Sequence, residues 1–202
     1  MRVRHLREAD YRRMRWKNGG GWTTELAISP PDCAGADFDW RISIAEIESD
    51  GAFSIFPQCD RFIALLDGNG MRLDFDRAPS ALLDQRRRFV PFSGDWKTHG
   101  SLLDGPVRDF NLIARRDRIR ADVRHRPLVG TMVFPSDART TWFVHLVTGR
   151  ASVQHPGDAH AVASGESLLL QPDDTARNCI IDGGGELILV KLTSIGTTTA
   201  NN

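Results

Sequence analysis

Polar side chains that alternate along apolar strands are the residues of this chain best suited to chemistry. In "DFNLIA" (109–114), Asp109 and Asn111 share one face, while Phe110 and Leu112 take the other. In "DWRISIAEI" (39–47), Arg41 and Ser43 share a face opposite Trp40, Ile42 and Ile44. Arg61 opens a further apolar run. A guanidinium recognises a carboxylate through two parallel N–H···O contacts, and an Asn amide offers both a donor and an acceptor. Such faces either meet water or line the inside of a barrel and hold a polar ligand.

A second set of groups lies in "RWKNGGGWTTEL" (15–26), where Trp16 and Trp22 bracket Lys17, Asn18 and three glycines, and Thr24 and Glu25 follow. Lys17 supplies charge, Asn18 a donor and an acceptor, and the indoles rigid walls. The glycines let the backbone bend close across another element. "GDWKTHG" (94–100), which contains His99, is either a cover for a barrel mouth or a plain exposed loop. The candidate ligand-binding residues are therefore Trp16, Lys17, Asn18, Trp22, Thr24, Glu25, Arg41, Ser43, Arg61, His99, Asp109 and Asn111.

Other chemistries find little support. Barrel metal ligands need alternate strand positions, and no two of His5, His99, His125, His145, His155 and His160 lie two apart. His155 and His160 flank a turn, and His145 sits in an apolar strand as a core residue. No metal ligand and no cofactor is assigned. No G-x-S-x-G elbow occurs, and "NGGG" (18–21) lacks the Lys-Ser/Thr pair and long helix of a phosphate loop. Lys plus Arg equals Asp plus Glu at 26 each, so no basic field for nucleic acid exists. Cys33, Cys59 and Cys179 form no CxxC and indicate reduced thiols. With no membrane-length apolar stretch and no secretion signal, a cytoplasmic protein is expected.

The elements that would position these groups are strands. "RFIALLDGNGMRLDF" (61–75) reads as a hairpin about Asp67–Gly70, "TWFVHLVTGRASVQH" (141–155) as one about Gly149, and "NCIIDGGGELILVKL" (178–192) as one through Gly183–Gly185. Only "LREADYRRMRW" (6–16) resembles a short helix. "FIALLDG" (62–68) matches "FVHLVTG" (143–149), and each is followed by further apolar strands, "RFVPF" and "DFNLIA" in the first half, "SLLLQ" and "ELILVK" in the second. This internal repeat predicts an all-β chain of two small jelly-roll barrels, over residues 1–120 and 121–202, with 125–140 linking the copies and a frayed "TTTANN" tail.

At "WKNGGGWTTEL" the chain resembles the HutD/Ves family of bacterial bicupins. The pattern W-K-N-G-x-G-x-T-x-E falls on Trp16, Lys17, Asn18, Gly19, Gly21, Thr23 and Glu25. "WRISIAEIESDGAFSIFPQCDR" (40–61) and "DFNLIARR" (109–116) are also similar to family signatures, in the family's order. One departure is "PQC" (57–59), where a glycine is expected after the proline. The resemblance implies a double cupin, a metal-free binding or regulatory role linked to histidine utilisation, and a small carboxylate such as formylglutamate as ligand. It carries no established catalytic activity.

Three function classes follow. The first is a metal-free cupin that senses a small carboxylate. The second is a metal-independent isomerase or epimerase using His99 with Asp109, or Glu25 as base. The third is a structural protein that dimerises through exposed strand edges. A homodimer is compatible with each; nucleic-acid and membrane partners are not expected.

Overall fold

A computed structural model of the chain describes residues 1–31, 33, 37–155 and 158–196, and the structural statements below concern these residues. The expected tail, and Pro156 and Gly157 of the turn between His155 and His160, lie outside the described residues.

In chain order the strands are β1 (Arg2–Leu6), β2 (Arg12–Arg15), β3 (Gly21–Ser29), β4 (Trp40–Ile47), β5 (Gly51–Ala52), β6 (Cys59–Asp67), β7 (Met71–Phe75) and β8 (Ala81–Leu83). They continue with β9 (Phe89–Ser93), β10 (Thr98–Leu102), β11 (Val107–Arg115), β12 (Ile119–Phe134), β13 (Thr140–His155), β14 (Asp158–Ala163), β15 (Ser167–Gln171) and β16 (Cys179–Ser194). The expected helix over 6–16 is a single 3-10 turn, Glu8–Asp10, between β1 and β2. Arg12–Arg15 extends instead because β2 is the edge partner of β3.

Two compact units form. One is Tyr11–Asp117; the other joins Met1–Asp10 to Arg118–Asn202. The first ten residues thus belong with the C-terminal half, because β1 pairs with β15 from Arg2 opposite Gln171 to Leu6 opposite Ser167. The span 125–140, expected as a linker, is largely β12, which pairs along its whole length with β16.

The Tyr11–Asp117 unit holds a six-stranded sheet, β2-β3-β4-β11-β6-β9, and a four-stranded sheet, β5-β10-β7-β8. Ala45, Ile47, Ile63 and Leu65 of the first pack against Met71, Leu73 and Leu83 of the second in one buried cluster. The "DGNG" stretch is no hairpin: β6 and β7 lie in different sheets, so the turn carries the chain across the core. In the other unit, β13 and β16 are each continuous strands of 16 residues, not hairpins. Gly183, Gly184 and Gly185 run directly opposite Ala151, Arg150 and Gly149, so the glycines serve close strand contact rather than chain reversal. Leu146, Val153, Leu168, Leu170, Ile181 and Leu187 form the core of this unit.

The turn at Pro57–Cys59 resolves the departure noted in the sequence. Gln58 has a φ of 60°, in the left-handed region that favours glycine. The conformation is held by hydrogen bonds: Gln58 N–H donates to Asp95 Oδ1 at 2.8 Å, Arg116 N–H donates to Gln58 O at 3.0 Å, and Arg115 Nη2 donates to Gln58 Oε1 at 3.0 Å. That backbone N–H is the main cause that draws the Asp95 carboxyl down to about 2, with Arg116 and Ser93 adding to it. Gln58→Gly should relieve the backbone strain and raise stability by about 0.5–1 kcal/mol, read as the urea midpoint; a lower midpoint would show that the Arg115 contact outweighs the strain.

Candidate functional site

The tryptophan-glycine segment is the loop of a β2–β3 hairpin. Met14 pairs with Thr23 and Arg15 with Trp22, and residues 16–20 close the turn. Trp16 N–H donates to Gly21 O and Gly19 N–H to Trp16 O, each at 3.0 Å, with Gly19 at a φ of 73°. A Cβ on Gly21 would overlap the carbonyl oxygen of Glu46 and lie 3.3 Å from the Trp16 ring, so only glycine lets the loop lie this close to β4. Glu48 N–H donates to Gly20 O at 2.9 Å and ties the loop to the chain just beyond β4. Trp16 Nε1 donates to Thr23 Oγ1 at 2.8 Å, which fixes the indole.

Antiparallel register assembles the rest. Arg41 and Arg61 both stand opposite Ile113, on β4 and β6 respectively. In the next row inward Asn111 lies opposite Ser43 and Ile63, with Glu25 beyond Ser43. In the row after that Asp109 lies opposite Ala45 and Leu65, with Thr23 beyond Ala45. The polar faces read from alternation on β4 and β11, left open between water and barrel interior, lie side by side on the inward face, with Ala45 and Ile113 among them. Arg41, Ser43, Asn111 and these two residues form the floor of a cavity of about 510 Å³, within the usual range of small-molecule sites. Trp16, Lys17 and Asn18 rim the cavity; Arg41, Ser43, Arg61 and Asn111 line it below.

Sequence reasoning missed several walls. Ala45 and Ile113 line the cavity and follow Ser43 and Asn111 at the next alternate positions, so period two contained the signal for them. Phe53, Ser54 and Phe56 also line it. They come from an irregular connection between β5 and β6 that shows no periodicity. Met14 enters through its pairing with Thr23.

Arg61 dominates the electrostatics. Its side chain is 3% exposed, and its guanidinium carbon lies 4.9–5.5 Å from the ring centres of Phe92, Phe53 and Phe56. Nη1 donates to Ser54 O at 3.3 Å, while Nε has no partner. Burial lowers its pKa to about 10, with Asp109 acting in the opposite sense, so it stays charged at neutral pH. Asp109 is fully buried, and neither carboxylate oxygen has a hydrogen-bond partner. Burial pushes its pKa up to about 7 against the pull of Arg61. Asn111 Oδ1 is likewise buried and unpartnered. Arg41 Nε sits 2.8 Å from Glu25 Oε2 as an ion pair, but without the alignment of a hydrogen bond.

Not every expected residue joins the site. Trp22 and Thr24 pair with Arg15 and Arg13 and fall on the opposite face of β3 from Thr23. The Trp22 ring is flanked there by the guanidinium carbons of Arg13 and Arg15, at 4.5 and 4.9 Å. Glu25 and Asp109 lie on the inward face but do not line the cavity. His99 is exposed on β10 and does not line it. The expected His99–Asp109 acid–base pair is not formed, since both Asp109 oxygens lack a hydrogen-bond partner. His145 is buried, with Nδ1 2.9 Å from Ser167 Oγ. Among the described residues no group of three or more His, Cys, Asp or Glu is placed to hold a metal ion, and no helix is long and apolar enough to cross a membrane.

Comparison with known proteins adds an independent line. A family model described as HutD matches residues 8–189. An uncharacterised 21.2 kDa protein in the hutC 3′ region of Pseudomonas putida is 48% identical over 117 residues, 57% of this chain and 60% of that protein. Protein Ves of Cronobacter sakazakii is 43% identical over 110 residues, 54% of this chain and 59% of that protein. The match thus spans about six tenths of the length of these curated relatives. Among solved structures, PA5104 of Pseudomonas aeruginosa PAO1, a conserved protein of unknown function, superposes with a TM-score of 0.82 at 34% identity, covering 96% of this chain and 100% of that one. HutD from Pseudomonas fluorescens SBW25, in a formate condition, gives a TM-score of 0.80 at 32% identity with the same coverage. YhhW from Escherichia coli, at 9% identity and a TM-score of 0.70 over 96% of this chain and 99% of that one, shares the cupin-like fold alone.

The raised Asp109 carboxyl has a consequence for stability. The native state holds its proton between pH 3.8 and about 7, where the unfolded chain has released it. The contribution of this group to stability is therefore highest below pH 3.8 and is lost as pH rises to about 7. Asp109→Asn should flatten that decline when thermal unfolding is followed across pH 4–8; an unchanged profile would contradict the assignment.

Proposed function

The chain belongs to the HutD family, and on that premise we propose that it is a small-molecule-binding protein linked to histidine utilisation, which captures a short carboxylate in the cavity of the Tyr11–Asp117 unit. The observation that carries this reading is the cationic lining of the cavity. Lys17, Arg41 and Arg61 line it, with no Asp or Glu among the described lining residues, and Arg41 is already paired with Glu25 at 2.8 Å. Arg15 lines it too, but its guanidinium lies over Trp22 and pairs with Glu48 at 3.2 Å.

The buried groups also specify what a ligand must offer. Arg61 Nε is a donor without an acceptor, and Asn111 Oδ1 an acceptor without a donor. Leaving such groups unpaired costs about 1–3 kcal/mol each, more for a charged one. A ligand with a carboxylate and a nearby N–H would satisfy both once the side chains over these solvent-inaccessible atoms move aside. N-formylglutamate has two carboxylates and a neutral amide N–H. Glutamate has the same carboxylates, but its ammonium meets a cation-lined wall. Urocanate has one carboxylate and an imidazole N–H. The expected order places formylglutamate first. Reversible occupancy would make the protein a sensing or regulatory component rather than a consumer of the compound.

Titration calorimetry with formylglutamate, urocanate and glutamate tests this reading. Formylglutamate should bind with the greatest affinity, and Arg61→Lys should weaken it about tenfold or more, because an ammonium keeps the charge but not the planar fork. Folded protein that gives no heat with any of the three would refute the proposal. Proton NMR of the mixture should show formylglutamate unchanged after prolonged incubation; conversion would make the protein an enzyme.

A further inference from the structure

Asp109 takes no direct part in the carboxylate site, yet among the described residues of the Tyr11–Asp117 unit it is a fully buried carboxyl, on the inward face of β11, with neither oxygen hydrogen-bonded. A carboxylate stays ionised in such a place only if a nearby charge holds it there. Its surroundings supply one such charge. Across from it stand Leu65 on β6 and Ala45 on β4, with Thr23 of β3 beyond Ala45. The facing sheet presents Met71, Leu73 and Leu83. Further along the inward face β4 carries Arg41 and β3 carries Glu25, and these two pair with each other at 2.8 Å. Arg61 of β6, two rows away on the same face, is the cation that acts on Asp109.

Arg61 lines the ligand cavity, while its Nε is buried and unpartnered. Its charge is therefore shared between an interior anion that it does not hydrogen-bond and whatever anion enters from outside. Resting on the carboxylate reading above, we propose that anion capture at Arg61 and protonation of Asp109 are a single coupled event. An incoming carboxylate hydrogen-bonds Arg61 and neutralises its field. Asp109 then loses the interaction that favours its ionised form and takes one proton from solvent. The balance is one ligand anion plus one proton bound, with Asp109 converted from carboxylate to neutral acid and no other bond made or broken. Asp109 acts through Arg61 and is a positioning residue, not a contact residue.

The raised carboxyl, at about 7 in the free protein, places this exchange within the neutral range. The sign follows from linkage. Below that midpoint Asp109 is already protonated, and binding takes up little. Above it binding must bring in a proton, so affinity falls by up to about tenfold per pH unit until the midpoint of the bound state is reached. The site would thus hold its ligand more tightly in mildly acid than in alkaline solution, although the ligand carboxylates stay ionised throughout.

Calorimetry of N-formyl-L-glutamate binding at pH 8, in phosphate and in Tris, reads the coupling directly, because proton uptake draws on the ionisation enthalpy of the buffer. The expected result is a buffer-dependent heat approaching one proton taken up per ligand, on the order of the linkage limit. Asp109→Asn should abolish the buffer dependence and bind more tightly than wild type at pH 8, by up to about tenfold. Carbon-13 NMR of the aspartate side chains provides a readout without substitution: the Asp109 midpoint should move upward on saturation. Binding with a buffer-independent heat, or an Asp109 midpoint that does not move, overturns the coupling alone. No heat from any carboxylate overturns the carboxylate reading and the coupling together.

Discussion

Moving a guanidinium out of water incurs a desolvation penalty of several kcal/mol unless its charge and N–H groups are matched. Arg61 meets that demand only in part. Three phenylalanine rings contribute cation–π attraction, one carbonyl accepts a hydrogen bond, and Asp109 contributes charge without contact. Neighbouring residues serve this arrangement. Phe92 stands opposite Arg61 on β9, Ile113 opposite it on β11, and the connection after β5 wraps Phe53 and Phe56 around its head. A buried cation that is held but incompletely satisfied stands to gain from an anion that reaches it, and because Nε lies out of reach of solvent, part of the cover around it has to shift first.

The glycine-rich hairpin borders the same cavity from the other edge of the sheet. Gly19 turns the chain, Gly21 admits it to the surface of β4, and the bond from Trp16 Nε1 to Thr23 sets the indole at the cavity edge. Trp16, Lys17 and Asn18 border the cavity, Lys17 and Asn18 at its exposed edge. Lys17 and Asn18 remain exposed, which suits them to long-range attraction and adaptable hydrogen bonding rather than to a fixed contact under the proposed binding role.

Much of the floor was legible in the sequence because strand alternation is strict. Arg41 and Ser43, and Asp109 and Asn111, came out on one inward face, and pairing in register then carried them together. The same rule separates Trp22 and Thr24 from Thr23, so their place on the other face was implicit in the spacing. His99 was favoured by its residue type; no pattern supported it. The connectivity was harder to read. Asp67–Gly70 has the composition of a tight hairpin yet carries the chain between sheets, and Gly183–Gly185 lies within a strand. Glycine reports that a backbone needs room, but whether for reversal or for close approach depends on distant strands. Phe53 and Phe56 belong to irregular chain, where no period links position to direction.

The central claim is that a ligand carboxylate completes Arg61. A crystal structure with N-formyl-L-glutamate tests it most directly. The account predicts a carboxylate within hydrogen-bonding distance of Arg61 Nε, and the ligand amide N–H directed at Asn111 Oδ1, between Trp16 and the β4–β11 floor. A ligand bound elsewhere, or one that occupies this cavity with Arg61 Nε and Asn111 Oδ1 still unpartnered, would contradict it.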